Sequence, residues 1–110
     1  MARFLFQFSY TPEAWAALVK NPVDRRAGIQ ALAEKVGGRL IEFYYAFGEY
    51  DGVAIFETPD NASQVAAVLA ALAPGHLKVV KTTVLIPVEE AMMGMRKAGE
   101  LSYQGPTERG

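Results

Sequence analysis

His76 is the single histidine among 110 residues, and histidine is the side-chain type that titrates nearest neutral pH, so it is the natural general acid or base. It follows Pro74-Gly75 at the head of a strand-like segment, where an ordinary exposed loop histidine is the competing reading. Tyr50 and Asp51 come next, inside the run Gly48-Glu49-Tyr50-Asp51-Gly52. A phenol and a carboxylate at a pocket rim could position a substrate hydroxyl. The alternative is turn chemistry, because Asp-Gly favours a primed hairpin turn and the Asp side chain can bond its own backbone. A third group lies within strand-like segments. Gln7 and Ser9 share a face of the first, Glu42 lies with Tyr44 on the second, and Lys81 with Thr83 on the fourth. If those faces coincide, they make a polar cluster in an apolar surround, the usual make-up of a small-molecule site. A Glu42–Lys81 pair there could transfer protons; otherwise it is an ion pair at a sheet edge or an interface rim. The candidate catalytic residues are therefore Glu42, Tyr50, Asp51, His76 and Lys81. The candidate ligand-binding residues are Gln7, Ser9, Tyr44, Tyr45 and Thr83, with Phe6 and Phe43 among the aromatics that would hold an apolar or aromatic compound.

Two weaker sets complete the inventory. Arg25 and Arg26 follow Asp24 at a helix start, where a phosphate or carboxylate could be held, although a solvated helix face is the simpler reading. Met92, Met93 and Met95 could form an adaptable binding surface; packing of the last helix accounts for them more simply. With no cysteine, disulfides, thiolate metal sites and thiol nucleophiles are excluded. One histidine leaves a metal centre without its usual imidazoles, and neither metal nor cofactor is expected. No Gly-rich phosphate loop and no Gly-x-Ser-x-Gly elbow occurs. Eleven Lys and Arg against twelve Asp and Glu give a net charge of -1, which argues against binding a phosphate backbone. The third strand lacks the basic-aromatic pattern of an RNA-binding sheet. The apolar run at the start is too short to cross a bilayer and no small-residue cleavage site follows it, so a soluble cytoplasmic protein is expected.

The elements that must position these residues follow from periodicity and punctuation. Residues 3–10 alternate, with Phe4, Phe6, Phe8 and Tyr10 on one face, a strand with one strongly apolar side. Thr11-Pro12-Glu13 reads as cap, first helical residue and early carboxylate. Asn21-Pro22 breaks that helix and, with Asn21 as cap, restarts a second one carrying Ile29, Leu32, Ala33 and Val36 on one stripe until Gly37-Gly38. Residues 40–47 form a second strand with Leu40, Glu42, Tyr44 and Ala46 on one face. The Gly48–Gly52 turn returns to a third strand over residues 53–57. Thr58-Pro59-Asp60 caps a helix whose stripe of Ala62, Val65, Ala66, Leu69, Leu72 and Ala73 suits close packing on a sheet. Residues 77–86 are a fourth strand, residues 88–98 a last helix, and residues 99–110 a tail in which Leu101 and Tyr103 suggest packing on the body or on a neighbouring subunit. The order β-α-β-β-α-β plus a helix is the split βαβ arrangement of the ferredoxin-like fold, α+β with a four-stranded antiparallel sheet, in one domain over residues 1–98.

Two helices cover one face of such a sheet, and the other face is too apolar for water, so a homo-oligomer, at least a dimer, is expected. The segments GEYDGVAIFETPD, NPVDRRAGIQALAEKVGG and KAGELSYQGP, in their order around the aromatic strand, resemble the GYD family, named for a Gly-x-Tyr-Asp turn, here Gly48, Tyr50 and Asp51. The resemblance implies a ferredoxin-like domain of the dimeric α+β barrel type. That family has no well-established activity; the wider barrel group includes cofactor-free monooxygenases, isomerases, haem-handling enzymes and small stress proteins. Two functions fit these residues. One is a small-molecule binding protein or cofactor-free enzyme with an apolar or aromatic pocket. The other is a structural or regulatory homo-oligomer without catalysis.

Overall fold

The computed structural model describes residues 1–107. Strand β1 (Ala2–Tyr10) is followed by helices α1 (Pro12–Lys20) and α2 (Arg26–Lys35), then strands β2 (Arg39–Tyr45) and β3 (Gly52–Thr58). Helix α3 (Asn61–Leu72), strand β4 (Leu77–Leu85) and helix α4 (Val88–Ala98) complete the order. The four strands form one antiparallel sheet in the order β2-β3-β1-β4, the ferredoxin-like arrangement expected from the element order.

Local chemistry sets most of the boundaries. The Thr11 side chain accepts the Ala14 N–H at 3.2 Å and Pro12 opens α1, a cap and first turn as the residues dictate. Asn21 does not cap the second helix. It ends the first one, donating its N–H to the Ala17 carbonyl at 3.0 Å. Asp24 takes over at the restart, accepting the Arg26 N–H at 3.0 Å and its guanidinium at 2.7 Å, so α2 begins only at Arg26. Gly37, at φ +80°, supplies the left-handed residue that turns the chain out of α2 into β2.

Strand β2 carries an irregularity that the alternation does not reveal. Leu40 stands opposite Phe56 and Glu42 opposite Ile55, so Ile41 is the extra residue of a bulge. The bulge moves Leu40 to the helix side with Phe43 and Tyr45, leaving Glu42 and Tyr44 on the open side. The Gln30 side chain of α2 stabilises it, accepting the Leu40 N–H at 2.8 Å. The strand also ends at Tyr45, two residues before the expected limit, where the Ala46 N–H turns to the Asp51 carbonyl at 2.7 Å.

Phe4, Phe6, Phe8 and Tyr10 are buried beneath the helices with Ala14, Ala33 and Ala54. The aromatic face of the sheet is therefore the covered one. The open face is aliphatic at its centre, with Leu5, Val53 and Ile55 half-buried. At one end Glu57 bridges Arg3 at 2.9 Å and Arg39 at 2.8 Å. Hydrogen bonds from Arg39 first, then Arg3, hold the Glu57 carboxyl below its ordinary value of 4.5. A carboxyl with a lowered folded-state pKa adds stability above its unfolded pKa and loses it as pH falls through the folded one. Stability should therefore drop below pH 4.5 in part through this site. A Glu57→Gln variant should lose less than wild type in denaturant titrations over that range, and equal losses would show that the bridge contributes nothing.

The molecule is elongated, 65 × 31 × 21 Å, with a radius of gyration of 18.4 Å where about 13 Å is usual for this length. Helix α4 buries none of its residues, and Met92, Met93 and Met95 are all exposed. The expectation that they pack the helix onto the body does not hold within one chain. Leu101 and Tyr103 are 75% and 86% exposed, so these two side chains do not pack on their own subunit either. Its last three positions lie outside the described residues.

Candidate functional site

Between the sheet and the helices lies a cavity of about 860 Å³. Phe6, Phe8, Ala54 and Phe56 form its floor; Ala14 and Leu18 of α1, Ile29 and Leu32 of α2, and Val68 and Ala71 of α3 form its walls. Its size has a sequence cause. Beside Leu18, Gln64 and Val68, the cavity walls of α1 and α3 carry five alanines (Ala14, Ala17, Ala67, Ala70 and Ala71), whose short side chains leave space above the aromatic floor. The expected close packing of α3 fails because its phase is different. Val65 and Leu69 are 55% and 58% exposed, and the side facing the sheet carries Gln64, Ala67, Val68 and Ala71. Gln64 is buried there, a polar residue outside the apolar stripe of the helix.

The polar groups on the wall are few: Tyr10, Thr58, Gln64, Arg25, Lys20, Asn21 and His76. Burial first, and the neighbouring Tyr45 phenol second, raise the Tyr10 phenol, with Arg25 acting in the opposite sense. Tyr10 therefore keeps its proton and serves as a hydrogen-bond donor at physiological pH. His76 is exposed at the rim, and its carbonyl accepts the Thr11 N–H at 2.9 Å, tying the start of β4 to the start of α1.

Asp51 does something other than close its own turn. Its Oδ2 accepts the Tyr10 N–H and the Trp15 indole N–H, each at 3.0 Å. Its own N–H donates to the Phe8 carbonyl at 2.8 Å, and the Ser9 hydroxyl donates to the Glu49 carbonyl at 3.3 Å. One carboxylate thus joins the end of β1, helix α1 and the hairpin. Gly52 is required beside it, because a Cβ there would run into the Phe8 ring. The Trp15 ring continues the junction, its centroid 5.1, 5.9 and 6.2 Å from those of Tyr10, Tyr45 and Phe47.

The strand register also places the polar set. Tyr44 pairs with Val53, Val53 with Gln7 and Gln7 with Lys81, one row across the open face; Glu42, Ile55, Leu5 and Thr83 form the next. The expected coincidence of faces is real for Gln7, Glu42, Tyr44, Lys81 and Thr83, and Tyr45 belongs to the opposite side. The Glu42–Lys81 pair does not form within the chain, since β2 and β4 are opposite edges, roughly 14 Å apart at three strand spacings. Glu42 instead engages the Tyr44 phenol, whose proton it holds by a hydrogen bond, raising the phenol's pKa. Gln7, Lys81 and Tyr50 line a separate open depression of about 320 Å³ beside the hairpin loop. Among the described residues, no cluster of His, Cys, Asp or Glu could hold a metal ion, and no helix is long and apolar enough to cross a membrane.

The GYD domain matches residues 4–93, from the first aromatic of β1 to the middle of α4. The chain belongs to the GYD family. This GYD protein is 29% identical over 96 residues to the glutamine synthetase and cystathionine beta-lyase binding protein of Thermus thermophilus, an alignment covering 87% of this chain and all of that one. Its fold is similar to the crystal structure of FFRP-DM1, with a TM-score of 0.55 at 15% identity over 78% of this chain and all of that chain. It is also similar to MtbAldR, with a TM-score of 0.51 at 12% identity over 78% of this chain and 52% of that one. At those identities the likeness speaks for the fold alone.

Proposed function

We propose that this GYD protein is a small-molecule binding protein, acting as a homo-oligomer, whose ligand enters the cavity between sheet and helices. The carrying observation is an 860 Å³ space with an aromatic floor and a few polar groups on its wall, within the range of about 300–1,000 Å³ typical of ligand sites. The ligand is apolar or aromatic in its body, because Phe6, Phe8 and Phe56 are what it meets. The residues supply binding more readily than turnover: Tyr10 keeps its proton, and Asp51 is committed to two structural donors. A neutral aromatic probe, 4-phenylbutanol, should raise the melting temperature. At a hundred times its dissociation constant a ligand adds about 2.7 kcal/mol, on the order of 10 °C for a domain of this size. Ala71→Phe, which fills the cavity from α3, should abolish that shift while keeping the fold. An undiminished shift in the variant would place the ligand elsewhere.

A second reading is favoured by the Thermus relative, which matches over its full length and is named for binding two enzymes. On that reading this protein docks on an enzyme of amino-acid metabolism and regulates it. Co-purification with glutamine synthetase from the same cells, measured with and without the ligand, tests the docking separately from the cavity.

A further inference from the structure

The charges around the cavity are of one sign. Its lining includes Lys20 and Arg25 and, among the described residues, no Asp or Glu, in a chain whose net charge is -1. Arg25 stands at the mouth. Asp24, its neighbour in sequence, is taken by Arg26 through contacts of 2.7, 3.0 and 3.1 Å, and Arg3 and Arg39 share Glu57. Among the described residues Arg25 makes no ion pair with a carboxylate. Its guanidinium folds back over the first turn of α2, where a Cβ on Gly28 would come within 3.3 Å of both terminal nitrogens. From there its charge is felt by the Tyr10 hydroxyl, which lines the same cavity.

Resting on the cavity reading above, we propose that the ligand is an apolar carboxylic acid, bound with its hydrocarbon or aromatic body on Phe6, Phe8 and Phe56 and its carboxylate on Arg25 and Tyr10. The planar guanidinium matches a carboxylate in a two-pronged contact, and the mouth position lets the charge stay near water while the body is desolvated. Lys20 adds attraction of the same sign without the fork.

The test compares three probes that differ only at the head: 4-phenylbutyrate, 4-phenylbutanol and 4-phenylbutylamine, titrated calorimetrically into the full chain. The acid should bind at least tenfold more tightly than the alcohol, and the amine most weakly. Arg25→Gln should weaken the acid by about 10- to 100-fold, the range of a charge-assisted hydrogen bond, and leave the alcohol within about twofold. Arg25→Lys should recover part of the loss. Equal affinities for the three probes, or an Arg25→Gln variant in which acid and alcohol weaken alike, would overturn the carboxylate assignment while leaving the cavity as an apolar site. Binding of none of the three would remove the cavity reading, and this proposal with it.

Discussion

Asp51→Ala is expected to cost about 3–4 kcal/mol of stability, since two N–H donors lose a charged acceptor at once. The donors come from different elements, so the loss is not local. The Tyr10 N–H marks the end of β1 and the Trp15 indole fixes α1 against the hairpin. The substitution should therefore loosen the wall of the cavity as well as lower the melting temperature, by on the order of 15 °C. Urea unfolding followed by fluorescence of the one tryptophan, Trp15, reads both effects. Asp51→Asn keeps an oxygen acceptor without the charge and should lose about half as much. A loss below about 1 kcal/mol for the alanine variant would mean that water replaces the carboxylate at little cost, and that the hairpin does not anchor the helix.

Ile55→Glu should turn an oligomer into a monomer. Ile55 lies at the centre of the open face, between Leu5 on β1 and Glu42 on β2, half-covered within one chain. Two such faces brought together by two-fold symmetry would bury it completely, and an unpaired carboxylate there costs several kcal/mol. Within a single subunit the new side chain can still reach water, so the fold should persist. Sedimentation velocity at micromolar concentration should show wild type at twice the chain mass or more, and the variant at 12.0 kDa with unchanged circular dichroism. Phe43→Glu makes the contrast, because Phe43 faces the helices and packs at 5.8 Å on Phe8, so its substitution should unfold the chain rather than dissociate it. A monomeric wild type would remove the oligomer from the proposed function.

Much of this was legible in the residues because it depends on near neighbours in sequence. The alternation of Phe4, Phe6, Phe8 and Tyr10 located a buried face, and the Thr11-Pro12 and Asp60 caps located helix starts to within a residue. What was not legible depends on distance. The bulge at Ile41 relies on Gln30 reaching an N–H ten residues away, and nothing in the pattern of β2 announces it. Asp51 reads as a turn residue because its partners are 36 and 41 positions upstream. The Glu42–Lys81 pair was excluded by strand order rather than by register, since the ferredoxin-like sheet places those two strands at opposite edges. The cavity was hidden for another reason. Alanines on a helix suggest close approach to a sheet, and only the positions of α1 and α3 decide whether they close a gap or leave one.

The most direct test of the cavity as the binding site is an intermolecular nuclear Overhauser measurement on the protein with labelled alanine and isoleucine methyl groups, bound to 4-phenylbutyrate. Cross-peaks from the probe's ring to the methyls of Ala14, Ala54 and Ala71, and none to Ile55, are expected. Cross-peaks to Ile55 with none to Ala54 would place the ligand on the open sheet face and contradict the account.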